Sequence, residues 1–294
     1  MGRILIKTTI PPGGEDWHVD RFSLLKAHLE SLTRPDGAPF EVLARDREVD
    51  DAGDDPDLTG LAGSGIDQLW LFALDVTEAI TERDAQGVHA FRRRRGGLFM
   101  ARDHQDMGKS LLKLGRIGQL NCFQSGNPEP DEARRRIDDT GTPAITWPNY
   151  NSGRNGDYQE VRIMAPGHPL VRGPAGEPIR YLPAHPHEGA VVAPDAFGDL
   201  AQVVLGGRST VTGRPFNIAV AVGAGPDDDG TRLGRAVAQS TFHHFADYNW
   251  DIDRGCPSFV SEPPGDGLKR NPQAIDDTRA YAANIARWLD DGGR

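Results

Sequence analysis

The sequence predicts an α/β protein built on an open, mainly parallel sheet with helices on both faces. Three observations lead there. Apolar runs and helical periods alternate in the order β-α-β-β-α-β along the first hundred residues. One of the runs, "GIDQLWLFAL" (65–74), is apolar almost throughout, as a strand covered on both faces must be. A further run, "LFMA", stops at the polar cluster Arg102, Asp103, His104, Gln105, Asp106 and leads into the helix-like "MGKSLLKL", the place where such folds put reactive groups.

Each element has its own signal. "RILIKTT" (3–9) is a compact β-rich run, and a glycine-rich turn follows it. Phe22, Leu25, Leu29 and Leu32 then recur at helical spacing. "FEVLARD" (40–46) reads as a second strand, and the acidic "REVDDAGDDPDLTG" as a solvated loop. Thr81 with Asp84 three residues on predicts a helix start. That helix runs through Val88 and Phe91 to "RRRRGG", whose arginines complement a helix C-terminus and predict a solvated face. Gly96 and Gly97 close it and release "LFMA".

Residues 120–184, rich in Pro, Gly, Asn and Arg, predict a long irregular elaboration of a single α/β domain spanning 1–294. Strands resume at 200–209, 216–225 and 234–241, hairpin-like because their connections are turn-rich. A last helix over about 273–290 turns Ile275, Ala282, Ile285 and Leu289 toward the body, with Tyr281 and Trp288 flanking that stripe.

With a net charge of -10, the chain is not expected to bind nucleic acid or other polyanions. Its first apolar run is too short for a signal peptide or membrane span, so a cytoplasmic location without membrane association is expected. Cys122 and Cys256, the two cysteines, are too few and too far apart for a disulfide framework or a CxxC metal site and predict two buried thiols. "AVGAG" lacks the following helix of a dinucleotide fingerprint, so no nucleotide cofactor is expected.

Several of the nine histidines fall at strand ends on what should be one sheet edge, where open α/β sheets bind ligands. His18 follows the first strand, Asp103 and His104 the "LFMA" strand, and His243 and His244 the strand at 234–241. "PAHPHEG" adds His185, His187 and Glu188. In an extended segment His185 and His187 would face the same way. Imidazoles and a carboxylate meeting in a cleft suit a divalent ion, zinc foremost. The predicted metal ligands are His185, His187, His243 and His244, with one of the last two facing the pocket. A metal-free polar pocket built from the same residues stands beside this. Asp103, His104 and Glu188 are the predicted acid/base groups, and His18, Arg102, Gln105 and Tyr248 the predicted substrate contacts. Aromatics near 248–250 suit a polar ring or the core. His168 reads as structural, and His28 and His89 as surface or packing residues within helices.

"MARDHQ" (100–105) resembles the nucleophile elbow of the class I glutamine amidotransferases, in which a cysteine ends the strand and His-Gln follows three residues later. Ala101 stands in place of that cysteine, and a methyl group forms no thioester. The wider pattern looks like the ThuA-like family of the same fold. It is carried by "GRILIKTT" with a turn containing His18, by residues 66–101, by "GHPLVRG" (167–173) and by "GRAVAQSTFHHFAD" (234–247). Either Asp103 or His104 takes that family's histidine position. The resemblance implies the flavodoxin-like, three-layer amidotransferase architecture. It implies an enzyme that performs metal-assisted or acid/base hydrolysis or isomerisation of a small polar, sugar-derived metabolite. The alternative is a ligand-binding or scaffolding module without turnover; a homo-oligomer is compatible with either.

Overall fold

The computed structural model describes residues 2–12, 17–34, 36–121, 124–126, 128, 131–132, 138, 145, 148–227, 229–258 and 260–290. Cys122 lies outside them. The strands are β1 (Gly2–Thr8), β2 (Phe40–Arg45), β3 (Gln68–Phe72), β4 (Gly97–Ala101), β5 (Tyr158–Glu160), β6 (Arg162–Ile163), β7 (Tyr181–Pro183), β8 (Ala201–Arg208), β9 (Pro215–Val222), β10 (Gly225–Pro226), β11 (Arg232–Leu233) and β12 (Ala236–Gln239). The α-helices are α1 (Ser23–Glu30), α2 (Pro56–Thr59), α3 (Glu82–Arg93), α4 (Asp247–Trp250), α5 (Gly267–Arg270) and α6 (Pro272–Asp290).

Eight strands form one open sheet in the order β2-β1-β3-β4-β12-β9-β8-β6. The first five run parallel, and β9, β8 and β6 continue the sheet antiparallel. The predicted fold class is the observed one. Alternation along the strands explains both covered faces. Ile4, Ile6, Trp70, Phe72 and Phe99 point to one side, into a core shared with Leu25 and Leu29 of α1 and Tyr281 and Ile285 of α6. Leu5, Leu69, Leu71, Leu98 and Met100 point to the other, against Leu58, Val88 and Phe91 of α2 and α3. Because β1, β3, β4 and β12 run the same way, the segments that follow Thr8, Phe72, Ala101 and Gln239 emerge along a common edge.

The Thr81 signal is a full capping box: the Thr81 hydroxyl accepts from the Asp84 N–H, and the Asp84 carboxylate accepts from the Thr81 N–H. Elsewhere the structure departs from the sequence reading. "MGKSLLKL" lies in 3-10 turns over Lys109–Leu120, broken where Gly115 takes φ 66°. The acidic stretch after β2 is not simply solvated, since Asp54 and Asp55 are buried. Lys7, the penultimate residue of β1, has no exposed surface, and its ammonium lies 2.8 Å from both Asp55 and Asp57. An uncompensated charge there would be costly, so the loop folds inward to supply counterions.

The elaboration at 120–184 adds the edge strand β6 to the main sheet and pairs β5 with β7. Tyr281, expected to flank the α6 stripe, sits in its centre with no exposure, and Cys256 is half-buried and free rather than core. His168 caps the short 3-10 turn Pro169–Val171 through its Nδ1. No helix among the described residues is long and apolar enough to cross a membrane.

Candidate metal centre

The turn after β4 places Asp103 beneath the common edge. Arg102 hydrogen-bonds through its N–H to the Gln239 carbonyl and accepts from the Phe242 N–H through its own carbonyl, which ties the elbow to the end of β12. Its side chain, also buried, folds back onto the Gln105 carbonyl. Gln105 takes φ 47° to complete the turn, and its N–H donates to Pro148 O at 2.8 Å.

Asp103, which has no exposed surface, receives three imidazoles on one oxygen. His104 Nδ1 donates to Oδ2 at 2.7 Å. His243 Nε2 is 3.2 Å from the same atom and His185 Nε2 3.6 Å. The His185 and His243 rings stack with centroids 3.5 Å apart. Donor atoms of Asp103, His185 and His243 lie within 4.8 Å of one another, a group able to hold a metal ion.

The hydrogen bonds around this cluster fix one tautomer. The Gly156 N–H can only donate, and it meets Asn249 Oδ1 at 2.9 Å. Asn249 Nδ2 therefore faces the His243 carbonyl at 2.9 Å and Asn155 Oδ1 at 3.4 Å. Asn155 Oδ1, held as an acceptor, then takes the His185 Nδ1–H at 2.8 Å. His185 Nε2 is left with a lone pair, and it has no hydrogen-bond partner among the described residues; nor has Asp103 Oδ1. His243 Nδ1 is bonded to the buried Tyr248 hydroxyl, which can donate or accept and so holds the ring without setting its tautomer.

Burial pushes the imidazole of His185 well below its ordinary value, and the neighbouring His243 adds to this against the opposing pull of Asp103. Burial likewise lowers His243, opposed by Asp103. Burial alone would raise the Asp103 carboxyl, but His243, His104 and His185 outweigh it and hold it well below the carboxylate range. At neutral pH Asp103 is thus a carboxylate facing the neutral imidazoles of His185 and His243. Buried side chains of this kind, two neutral imidazoles and an anionic oxygen, match the donors a divalent ion takes.

Other predicted site residues go elsewhere. A turn at Pro186 and His187 replaces the extended chain the sequence suggested, so His187 swings to Glu262, 2.9 Å from its Nε2. It stays beside the cluster, its ring centroid 5.7 Å from that of His185 and 5.8 Å from that of His104. Adjacent residues on the 3-10 turn Phe242–Phe245 point apart. His243 faces Asp103, while His244 Nε2 lies 3.3 Å from Glu188 Oε2 and its Nδ1 receives Gln239 Nε2 at 2.6 Å. Glu188 is not a free base, because Ser152, Gln159 and Ser240 also hydrogen-bond to its carboxylate, all of it buried. It anchors the 150s segment to the end of β12. Tyr248 has no surface for substrate, and Arg102 braces the elbow. His18, more than a third exposed, sits 3.6 Å from Asp20.

Trp17 beside His18 also reaches the cluster, its ring edge-on to His243 at 5.3 Å. Sequence reasoning did not find Trp17, Asn155 or Glu262. The one available signal was the density of asparagines at 149, 151 and 155 within a segment of little periodicity.

No known protein family and no curated protein matches the chain. Among solved structures it is similar to the glutaminase domain of CTPS of Trypanosoma brucei with bound acivicin, at 14% identity and a TM-score of 0.44, over 99% of this chain and 97% of that one. A cytoplasmic protein of Salmonella typhimurium is similar at 12% identity and 0.42, over 92% and 97%. The mmIFT52 N-terminal domain is similar at 11% and 0.42, over 85% and 94%. No residue role follows from these likenesses.

Proposed function

We propose that the chain is a metal-dependent enzyme of the ThuA-like kind, in which Asp103, His185 and His243 hold a divalent ion, zinc by the nature of the donors. One observation carries this reading. The lone pair of His185 Nε2 and the anionic Asp103 Oδ2 face each other at 3.6 Å with no proton between them, and a cation bound to both turns that repulsion into attraction. Three protein ligands leave a coordination position open, the pattern of catalytic rather than structural zinc. When bound, such an ion polarises a carbonyl or hydroxyl oxygen and acidifies water.

The chain's own groups supply the rest. His104 gives its Nδ1–H to Asp103, so its Nε2 is the lone-pair nitrogen and serves as general base. Its side chain is 14% exposed, more open than those of His185 and His243. His187, paired with Glu262, stands next to it as proton carrier. Hydrolysis or isomerisation of a small polar metabolite, sugar-derived in keeping with the resemblance, is the chemistry these groups favour. Ala101 at the end of β4 offers no nucleophile, so no covalent thioester route competes.

Metal analysis of protein purified without a metal-affinity tag tests the reading. About one divalent ion per chain is expected, lost in Asp103→Asn and His185→Ala, and chelation should lower the thermal unfolding midpoint reversibly on zinc return. Protein free of metal whose unfolding is indifferent to both chelator and zinc would refute it.

A further inference from the structure

Away from the Asp103 edge, where β4 and β12 begin, the last turn of α3 and the chain after β9 enclose a cavity of about 350 Å³. Leu114, Ile117 and Phe197 give its lining apolar surface, and Arg92 and Arg116 give it cationic groups. The sequence placed Arg92 on a solvated helix face, yet it is only 4% exposed. Of the five N–H donors of a guanidinium, Arg92 uses Nη2 on the Gly234 carbonyl at 2.9 Å. Its buried Nε has no partner among the described residues, and no carboxylate there forms an ion pair with it.

The nearby carboxylates are already engaged: Asp227 by His89 at 3.1 Å and Arg93 at 3.7 Å, and Asp229 by Arg93 at 2.8 Å. Arg116 lies over the Phe197 ring with its guanidinium carbon 4.5 Å from the centroid. Burial lowers the Arg92 guanidinium to about 10, with Arg116 contributing and Asp227 opposing. A desolvated cation without a counterion is unfavourable unless an anion completes the site.

We infer that this cavity is a second ligand site, separate from the metal centre, which takes a small organic carboxylate: the carboxylate head on Arg92 and Arg116, the apolar body against Leu114, Ile117 and Phe197. Charge selects the head group. Among the described residues that line it, three arginines outnumber two aspartates by one, which suits a singly charged carboxylate and disfavours a dianionic phosphate ester. The planar fork of a guanidinium matches a carboxylate in two parallel hydrogen bonds.

Calorimetric titration of the full chain with 3-phenylpropionate, at constant ionic strength, tests this. Saturable binding is expected, weakened at least tenfold in Arg92→Met and at least fivefold in Arg116→Gln, and unchanged in Asp103→Asn. Neutral 3-phenylpropanol should bind at least tenfold more weakly, and phenyl phosphate more weakly than the carboxylate. Without ligand, Arg92→Met should unfold at the same temperature as the parent or higher, because an uncompensated buried charge has been removed. Absence of saturable binding overturns the proposal, as does equal binding of the alcohol. If Arg92→Met fails to fold, Arg116→Gln decides: parental affinity there makes Arg92 a structural brace for Gly234 and ends the proposal.

Discussion

His185 shows how far one hydrogen bond can set chemistry. Its metal-facing nitrogen is available because Asn155 Oδ1 takes the proton on the other side of the ring, and Asn155 is itself oriented by Asn249 and the Gly156 N–H. Outer groups that hold a ligand's tautomer change metal affinity by about 10–100-fold. Asn155→Leu should therefore weaken zinc binding by about that factor. Asn155→Asp, which keeps an acceptor, should stay within a few-fold of the parent. Competition against a chromophoric chelator measures both, and equal affinity in all three proteins would show that the tautomer is not set in this way. At this scale the sequence supplied Asp103, His185 and His243 as candidates, since histidine and aspartate at strand ends are visible as residue types. Which of two adjacent histidines turned inward was not visible, because the 3-10 turn that separates His243 from His244 depends on contacts from distant segments.

Elements converge on the centre through close backbone approach. A Cβ on Gly189 would lie 2.4 Å from the Asp103 carbonyl oxygen and 2.8 Å from that of Ser240. The loop carrying His185, the elbow and the end of β12 can therefore meet only if residue 189 has no side chain. Neither carbonyl is the tip of a flexible chain, so Gly189→Ala must push the three apart, at a cost of about 1–3 kcal/mol of stability. It should lower the denaturant midpoint and release zinc more readily than an alanine at Gly63, where a Cβ meets nothing within 4 Å. Equal effects at the two positions would count against the packing argument. The main-sheet strands other than β6 and the α3 capping box were legible from local pattern. The 3-10 character of Lys109–Leu120 was not: Gly108 at φ 76° and Gly115 at φ 66° break the helical path, and nothing in an apolar period reports that.

Over the whole molecule, the sheet is held on two apolar faces and pinned at its β1 side by a buried ionic knot of Lys7, Asp55 and Asp57, with Arg47 reaching Asp84 at 2.8 Å beside it. Lys7→Met leaves buried Asp55 with only the more distant Arg47, at 3.9 Å, as a cation and should cost about 3–5 kcal/mol. Lys7→Met with Asp55→Leu should recover much of that loss, as read from chemical unfolding. A double variant no better than the single would mean that the knot is not what the substitution disturbs. By itself the sequence determined the α/β class, the main-sheet strands other than β6, the helices α1, α3 and α6, the lack of an elbow cysteine and a short list of metal-capable side chains, because each of these is written in residue type and local period. The tertiary structure alone decided that Asp103, His185 and His243 meet, that Glu188 and His244 turn away into an anchoring network, and that Arg92 is buried. Those outcomes depend on the register between segments as far apart as residues 103, 185 and 243, which strand pairing and close glycine contacts establish only in the folded chain.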